Sequence, residues 1–187
     1  MLFVKPISEI LSKVLMSVCI MLFICGLSAC SDDLNPSDSD ERPSTMPGTE
    51  GNYVGQTAAD FTVLDTIEST VVLEDEIALN TGVVLYFTMW CPLCDTHMSS
   101  IRTSIKPAFP GVRFLVVDYV SGSIQQSRSA QLSNGYAAET VLADIDHLLL
   151  DQFNATMGST IVIDSLGVIQ MNEDYKQSKL SSVLGAL

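Results

Sequence analysis

Two cysteines three residues apart, Cys91 and Cys94, carry the clearest chemistry in this sequence. They follow a short apolar run at residues 83–87, which predicts a buried strand ending just before the first cysteine. Pro92 suits the first position of a helix, so the predicted order is strand, turn, dithiol and helix. A cysteine at a helix start lies near unpaired N–H groups and the positive end of the helix dipole, which favour its thiolate. We therefore predict that Cys91 is a nucleophile and that Cys94, on the same helix face, can form a disulfide with it.

Other uses of the two thiols fit the sequence less well. Covalent haem attachment needs a histidine directly after the second cysteine, and Asp95 stands there. A zinc or copper site could add His97, but structural zinc needs a fourth ligand and the one other histidine is His147. A structural disulfide here would close a loop too short to remove much chain entropy. A redox-active dithiol without metal or other cofactor is favoured, with a metal-binding or non-catalytic binding module as lesser alternatives.

The composition limits the kinds of partner. The chain has 187 residues, 47% of them hydrophobic, which is ample for one domain with a packed core. The formal net charge is −13 and only nine residues are lysine or arginine, which argues against nucleic acid or an anionic membrane surface as a charge-driven partner. Three of the five cysteines, Cys19, Cys25 and Cys30, precede residue 31. Their fate therefore depends on processing of the N-terminus.

The N-terminus has the pattern of a secretory leader. Lys5 and Lys13 precede an apolar segment at residues 14–27, which is short for a membrane span and typical of a signal-peptide core. The motif L-S-A-C, which ends at Cys30, resembles the lipobox of bacterial lipoproteins. That resemblance implies cleavage before Cys30 and acylation of the cysteine, which would anchor the protein stably in a membrane. We assign residues 1–29 to a lipoprotein signal peptide.

Residues 30–52 have the composition of a linker. They are mostly Asp, Ser, Pro, Thr and Gly, and contain too few apolar residues to build a core. We expect a lipidated N-terminus followed by a flexible acidic tether that holds the domain away from the membrane. The remaining residues, 53–187, form the single predicted domain.

Strand and helix patterns alternate through this domain. The predicted strands occupy residues 62–65, 70–73, 83–88, 112–118, 139–144, 160–164 and 168–171. A helical turn is predicted at residues 74–79, a helix with an apolar stripe from Cys94 to Ile105, a helix capped by Ser121 or Ser123, a helix at 147–153 capped by Asp146, and a closing helix at 178–187. This order predicts an α/β fold with a central mixed sheet covered by helices on both faces.

Several motifs resemble one family of redox proteins. The motif W-C-x-x-C after the third strand and the hairpin T-I-V-I-D-S-x-G-V-I are similar to the thioredoxin fold. The opening G-Q-T-A-A-D-F, which ends at Phe61, resembles G-x-x-A-P-D-F, and T-V-L-A-D, which ends at Asp144, resembles P-V-L-x-D. These motifs are typical of the TlpA and ResA type of thiol-disulfide oxidoreductase, in the redoxin or AhpC/TSA-like grouping. The resemblance implies a thioredoxin-like three-layer sandwich over residues 53–187.

The resemblance also implies a function. The protein would exchange disulfides with protein thiols and disulfides of the cell envelope. Cys91 would attack the substrate, and Cys94 would resolve the mixed disulfide. A separate redox partner would recycle the dithiol. The residues expected to contact substrate flank the dithiol: Trp90, Pro92, Met157 and Gly158. With an acylated Cys30 the protein would be lipid-anchored in a bacterial membrane and face the periplasm. We expect a monomer without a bound cofactor.

A thiol peroxidase that uses Cys91 is the alternative. Peroxiredoxins carry the motif P-x-x-x-T-x-x-C, in which the threonine and a distant arginine polarise the peroxide. Thr88 matches the threonine, whereas Val84 occupies the proline position. The second cysteine of the C-x-x-C motif is not needed for peroxide reduction, so this interpretation ranks second.

Three positions depart from the thioredoxin pattern. Leu85 stands six residues before Cys91, where thioredoxins have a buried acid that relays protons. Asp95, His97 and Glu139 are substitutes to consider, although we expect His97 to face solvent.

The other two departures concern proline. Ser99 replaces a helix-kinking proline, and Gly158 replaces the cis-proline that faces the dithiol in this fold. A cis bond before a residue other than proline is costly, so we predict a trans Met157–Gly158 peptide. Glycine tolerates positive φ and, unlike proline, offers an N–H. We expect this loop to pack beside Cys91.

Overall fold

The computed structural model of the protein describes residues 48–187. The predicted signal peptide, Cys30 and most of the tether lie outside the described residues. Among residues 48–187, no helix is long and apolar enough to cross a membrane. Residues 48–52, which belong to the predicted tether, hydrogen-bond to the domain. The Asn52 carbonyl accepts from the Asn172 amide at 2.7 Å, and the Gly51 N–H donates to the Thr57 carbonyl at 3.0 Å.

Strands and helices alternate along the described chain as predicted. The strands are β1 Thr62–Leu64, β2 Thr70–Val72, β3 Gly82–Thr88, β4 Val112–Asp118, β5 Thr140–Ala143, β6 Ser159–Asp164 and β7 Ile169–Asp174. The α-helices are α1 Leu73–Leu79, α2 Pro92–Ser100, α3 Ile124–Ser133, α4 Leu148–Gln152 and α5 Gln177–Leu184. A π-helical turn, Ile101–Ile105, and a 3-10 turn, Lys106–Ala108, follow α2.

Five strands form one mixed sheet in the order β5-β4-β3-β6-β7. The pairs β3–β4 and β4–β5 are parallel, whereas β3–β6 and β6–β7 are antiparallel. β1 and β2 pair with each other in a separate small antiparallel sheet. Ser123 caps α3 by accepting the Gln126 N–H, as one of the two predicted caps. The central mixed sheet predicted from the sequence is confirmed.

The central strand β3 is buried on both faces. All seven of its residues are buried, and successive side chains point to opposite faces. On one face Leu85 packs in a cluster that includes Leu149 of α4; on the other, Val84 packs in a cluster that includes Met98 of α2 and Leu180 of α5. Each large apolar side chain buried in these clusters contributes roughly 1.5–3 kcal/mol. Helices therefore cover both faces, and the three-layer sandwich is confirmed.

The cap of α4 differs from the prediction. The helix begins after His147, which has a left-handed φ of 58°. The N–H groups of Leu149 and Leu150 donate to the two carboxylate oxygens of Asp144 at 3.0 and 2.9 Å. Asp144 is buried at the end of β5, so it reaches these N–H groups across the turn. The predicted cap, Asp146, was therefore wrong.

The helix after the dithiol changes its winding where the proline is missing. α2 ends at Ser100, one residue after Ser99, and the π-helical turn follows. A π-helical turn inserts an extra residue and redirects the helix without a proline. The predicted apolar stripe is kept, because Met98, Ile101 and Ile105 are all buried.

Candidate active site

The dithiol lies where β3 ends and α2 begins. Cys91 is the N-cap of α2, and its sulfur accepts the Cys94 N–H at 3.2 Å. Pro92 occupies the first turn, as predicted. The two sulfurs are unbridged thiols 2.7 Å apart. Cys91 is partly exposed and Cys94 is completely buried, so a substrate can reach only the sulfur of Cys91.

The two sulfurs share one environment for negative charge. Burial raises the pKa of the Cys94 thiol, but its hydrogen bonds together outweigh burial, so the pKa is lowered. The partners in these bonds are the Cys91 sulfur, the backbone of Met89 and Cys91, and the Thr88 hydroxyl. A thiolate formed on either sulfur is stabilised by the S–H of the other, because they are 2.7 Å apart. The two sulfurs together therefore stabilise one negative charge, and only the Cys91 sulfur can meet a substrate.

The residue before the dithiol is held by a buried carboxyl group that the sequence analysis did not identify. Trp90 adopts a left-handed φ of 59°. Its backbone N–H donates to Thr88 Oγ1 at 3.1 Å, and its indole N–H donates to Asp118 Oδ2 at 2.8 Å. Asp118 ends β4 and is fully buried, and its Oδ1 accepts the N–H groups of Val120 and Ser121 at 3.1 Å each. A left-handed φ costs a side-chain-bearing residue roughly 1–2 kcal/mol, which these bonds offset. We call Thr88, Trp90 and Asp118 the Trp90 side of the dithiol.

His97 lies on the other side, one helical turn after Cys94. Its Nδ1 is 3.0 Å from the Tyr86 hydroxyl oxygen, and its ring centroid is 4.6 Å from that of Tyr175. The imidazole is half-buried, whereas we expected it to face solvent. Burial lowers the pKa of His97, and the opposing charge of Asp174 does not restore it. The imidazole is therefore neutral at pH 7.

Tyr86 is a second site residue that the sequence analysis missed. It is only 2% exposed, and its side chain lies on the face of β3 that α2 covers. Burial raises the pKa of Tyr86, and interactions with the Cys94 sulfur and then with Cys91 raise it further. The phenol therefore keeps its proton while it faces the sulfurs and His97. Tyr119 behaves similarly, since burial and then the charges of Cys94 and Cys91 raise its pKa.

Gly158 replaces the fold's proline with a different local structure. Its φ is 86°, its N–H donates to the Phe87 carbonyl at 3.0 Å, and its carbonyl accepts the Tyr175 N–H at 2.9 Å. No cis peptide bond occurs within residues 48–187, so the trans Met157–Gly158 bond is confirmed. A Cβ at position 158 would lie 3.8 Å from the His97 ring. The loop therefore approaches His97, and its packing against Cys91 stays a prediction.

Of the three substitutes for the missing acid, His97 is the one that contacts a group facing the sulfurs. Asp95 accepts a hydrogen bond from the Tyr136 hydroxyl, and Glu139 forms an ion pair with Lys106 at 2.6 Å. Across the described part of the chain, no group of three or more His, Cys, Asp or Glu side chains is arranged to hold a metal ion.

A signal for Tyr86 and Asp118 does exist in the sequence. Tyr86 is the one residue of the apolar run 83–87 that carries a hydroxyl. Asp118 ends the next buried strand, and parallel neighbouring strands end at the same edge of a sheet. Polar groups at strand ends beside a dithiol are therefore the ones to examine first.

The fold and the dithiol at the start of α2 define a thioredoxin-like redox protein. The sequence matches the model of the AhpC/TSA family over residues 54–172. The chain therefore belongs to the AhpC/TSA family, which confirms the predicted redoxin grouping. No curated protein matches the sequence.

Solved structures of three kinds of thiol protein are similar to this chain. A putative protein disulfide isomerase from Bacteroides thetaiotaomicron has a TM-score of 0.61 at 20% identity, over 72% of this chain and 87% of that one. An exposed lipoprotein thioredoxin from Streptococcus pneumoniae has a TM-score of 0.56 at 21% identity, over 69% and 100%. A peroxidoxin from Mycobacterium tuberculosis has a TM-score of 0.57 at 17% identity, over 72% and 97%. At these identities the likeness concerns the fold, and the predicted thioredoxin-like fold is confirmed.

Proposed function

We propose that this protein is a thiol-disulfide oxidoreductase that exchanges disulfides with proteins of the bacterial cell envelope. The observation that carries the proposal is the asymmetry of the dithiol. One sulfur, on Cys91, is reachable, and the other, on Cys94, is buried 2.7 Å behind it. An arrangement of this kind suits a nucleophile that meets the substrate and a second thiol that acts only inside the protein.

The exchange follows from this geometry. The Cys91 thiolate attacks one sulfur of a substrate disulfide, the substrate S–S bond breaks, and the released substrate thiolate takes a proton from water. Cys94 then attacks the Cys91 sulfur, the Cys91–Cys94 disulfide forms, and the second substrate thiol leaves. The substrate gains two electrons and the protein dithiol loses two. The reverse sequence oxidises a substrate, and a redox partner resets the dithiol in either direction.

The proposed substrate surface surrounds Cys91. Pro92 is exposed and Trp90 and Met157 are half-buried, so these side chains can meet a protein substrate. Gly158 is buried and both of its backbone polar groups are already bonded, so it supports the loop from behind. Met89 and Leu93, which flank the motif, are 44% and 51% exposed and extend the apolar area.

Trapping of mixed disulfides tests the function. In a Cys94→Ser variant the second step is blocked, so envelope proteins should accumulate as disulfide-linked adducts of Cys91, resolved on non-reducing gels. Cys91→Ser is the matched control, because it removes the reachable sulfur and should trap nothing. Iodoacetamide should also modify Cys91 at least about tenfold faster than the buried Cys94. Adducts in the Cys91→Ser variant, or faster modification of Cys94, would reverse the assignment of roles.

We also infer that Cys30 is the acylated N-terminus of the mature protein. The L-S-A-C motif after an apolar leader supports this inference, and the acidic segment that follows would serve as a tether. Mass spectrometry of protein extracted from membranes should find a mature chain that begins at an acylated Cys30. An intact Met1, or an unmodified Cys30 in a soluble periplasmic fraction, would contradict it.

Thiol peroxidase activity is the second candidate, because Thr88 matches the peroxidase threonine and lies close to Cys94. The arginines of the described chain are engaged elsewhere: Arg102 lies 4.9 Å over the Tyr136 ring, Arg113 pairs with Glu76, and Arg128 donates to Gln131. Consumption of hydrogen peroxide by the reduced protein, with Cys91→Ser as control, distinguishes this activity from disulfide exchange.

A further inference from the structure

The second step of the exchange requires Cys94 to lose its proton inside the protein. In the mixed disulfide Cys91 has no S–H, so the interaction that most lowers the pKa of Cys94 in the free dithiol is lost. Leu85 occupies the position of the usual acid and packs in the apolar cluster on one face of β3. The next residue, Tyr86, points to the opposite face, where α2 carries Cys94 and His97. The structure thus offers a hydroxyl and an imidazole on the α2 face of β3. Leu85, on the opposite face, has neither group.

We propose that Tyr86 and His97 relay the proton of Cys94 to solvent, an inference that rests on the oxidoreductase function proposed above. The Tyr86 hydroxyl lies 3.0 Å from Nδ1 of His97 and faces the Cys94 sulfur. His97 follows Cys94 by three residues, so both side chains lie on the same face of α2. The Tyr86 hydroxyl interacts with the Cys94 sulfur, and His97 acts through Tyr86.

The surroundings of the pair suit a transfer in this direction. Burial lowers the pKa of His97, so one ring nitrogen can accept a proton at neutral pH. The relay requires this nitrogen to be Nδ1, which lies 3.0 Å from the Tyr86 hydroxyl. Burial raises the pKa of Tyr86, so its oxygen gives up a proton only as it receives another. His97 is half-buried, which leaves the imidazole an exposed part that can exchange a proton with water. The titratable groups that face the pair are the two dithiol sulfurs, Tyr175 and Asp174.

The Thr88 hydroxyl is another polar group near Cys94, and it suits a different role. Thr88 interacts with the Cys94 sulfur, and its oxygen accepts the backbone N–H of Trp90 at 3.1 Å. A backbone amide cannot take up a proton, so a proton placed on Thr88 has no onward acceptor there. Thr88 therefore stabilises negative charge on Cys94, whereas Tyr86 leads to a base.

The proposed step balances in atoms and charge. In the mixed disulfide, the Cys94 S–H passes its proton to the Tyr86 oxygen while Tyr86 passes its own proton to Nδ1 of His97. The Cys94 thiolate attacks the Cys91 sulfur, the Cys91–Cys94 bond forms, and the bond to the substrate sulfur breaks. The substrate leaves as a thiolate and takes a proton from water, and the imidazolium of His97 returns its proton to solvent. The only oxidant is the substrate disulfide.

The two steps can be timed separately with dithiobis(nitrobenzoate), a disulfide that releases a coloured thiol. Attack by Cys91 releases one coloured thiol at a rate that depends on reagent concentration, and attack by Cys94 releases a second at a rate that does not. In Tyr86→Phe, which keeps the ring, the first rate should stay within about twofold and the second should fall on the order of 10²-fold near pH 7. The deficit should shrink as pH rises, because hydroxide then deprotonates Cys94 directly.

Two further variants separate a relay from a packing effect. His97→Gln keeps a hydrogen-bonding side chain but no base, and it should show the same pH-dependent loss of the second rate. Tyr175→Phe is the matched control, because its hydroxyl donates to Ser100 at 2.8 Å and its ring still packs on His97. It should change neither rate. An unchanged second rate in Tyr86→Phe or in His97→Gln, or a deficit equal at all pH values, would overturn the relay. A wild-type protein that releases no coloured thiol would overturn the proposed function and the relay with it.

Discussion

The two sides of the dithiol hold it in physically different ways. Towards β4 lies the Trp90 side, in which Asp118 accepts three N–H groups. Towards β6 lies what we call the His97 side, which comprises Tyr86, His97 and Gly158. On the Trp90 side the three N–H groups that Asp118 accepts have a fixed direction, because an amide or indole N–H cannot act as an acceptor. On the His97 side the phenol and the imidazole can each donate or accept.

This difference separates two tasks, the positioning of the motif and the transfer of a proton. A fixed network sets the position of the motif, because it ties the left-handed Trp90 to the end of β4. A network with exchangeable donors can carry a proton without moving any heavy atom. The replacement of the acid by Leu85 therefore removes one residue from the site without removing the means of proton transfer. Variants on the two sides should accordingly affect different quantities.

The largest effect on stability is expected on the Trp90 side. Asp118→Ala leaves the indole N–H and the N–H groups of Val120 and Ser121 without their acceptor, at about 1–3 kcal/mol for each buried donor that finds no other. The free energy of unfolding, measured with urea, should fall by about 3–5 kcal/mol. Tyr86→Phe, which removes one hydroxyl from the His97 side, should cost only about 1 kcal/mol. Equal losses in the two variants would show that the sides do not differ.

The next effect is expected at Gly158, where the usual proline of the fold can be restored. Gly158→Pro requires a φ near −65° in place of 86° and removes the N–H that donates to Phe87. It should lower the free energy of unfolding by about 3 kcal/mol or more. Gly158→Ala is the control, because its Cβ would meet the His97 ring at an ordinary 3.8 Å and only the left-handed φ is strained, at roughly 1–2 kcal/mol.

A Gly158→Pro protein as stable as the wild type would mean that this loop can adopt the proline-containing arrangement. In that case the contact between Gly158 and His97 would be an incidental feature of the loop. The His97 side would then share the geometry of other thioredoxin-like proteins.

Much of the fold was predictable because its signals are local. Apolar runs of strand length gave the buried strands β3 and β4, and C-x-x-C with proline gave the start of α2. The trans peptide at Gly158 followed from the cost of the alternative. Each of these inferences uses neighbouring residues and a known backbone preference.

The contacts that organise the site were not predictable, because they join distant elements. Trp90 meets Asp118 across 28 residues, and Tyr86 meets His97 across 11, and both depend on strand register and helix placement. Asp144 replaced Asp146 as a cap because His147 turns left-handed. The expectation that His97 faces solvent failed for the same reason, since the packing of Tyr175 and Gly158 around it has no sequence signature.

The smallest predicted effect is the dependence of stability on pH, and it belongs to the His97 side alone. Burial lowers the pKa of His97 in the folded protein, against about 6.5 in the unfolded chain, and Asp174 opposes the shift in part. Between these two pKa values the unfolded state binds more protons than the folded state. The contribution of His97 to the free energy of unfolding is therefore complete above about pH 6.5 and declines as the pH falls towards the pKa of His97 in the folded protein. Urea unfolding between about pH 5.5 and 7.5 should show this slope.

The slope should disappear in His97→Gln. It should persist in His147→Gln, which retains the half-buried imidazole of His97. Asp174→Asn removes the charge that raises the pKa of His97, so the decline should extend to lower pH in that variant. Trp90→Phe should lower stability equally at all these pH values, because the indole N–H that it removes does not titrate. A slope that survives in His97→Gln would mean that the imidazole is not held neutral by burial, and the His97 side would then be as fixed as the Trp90 side.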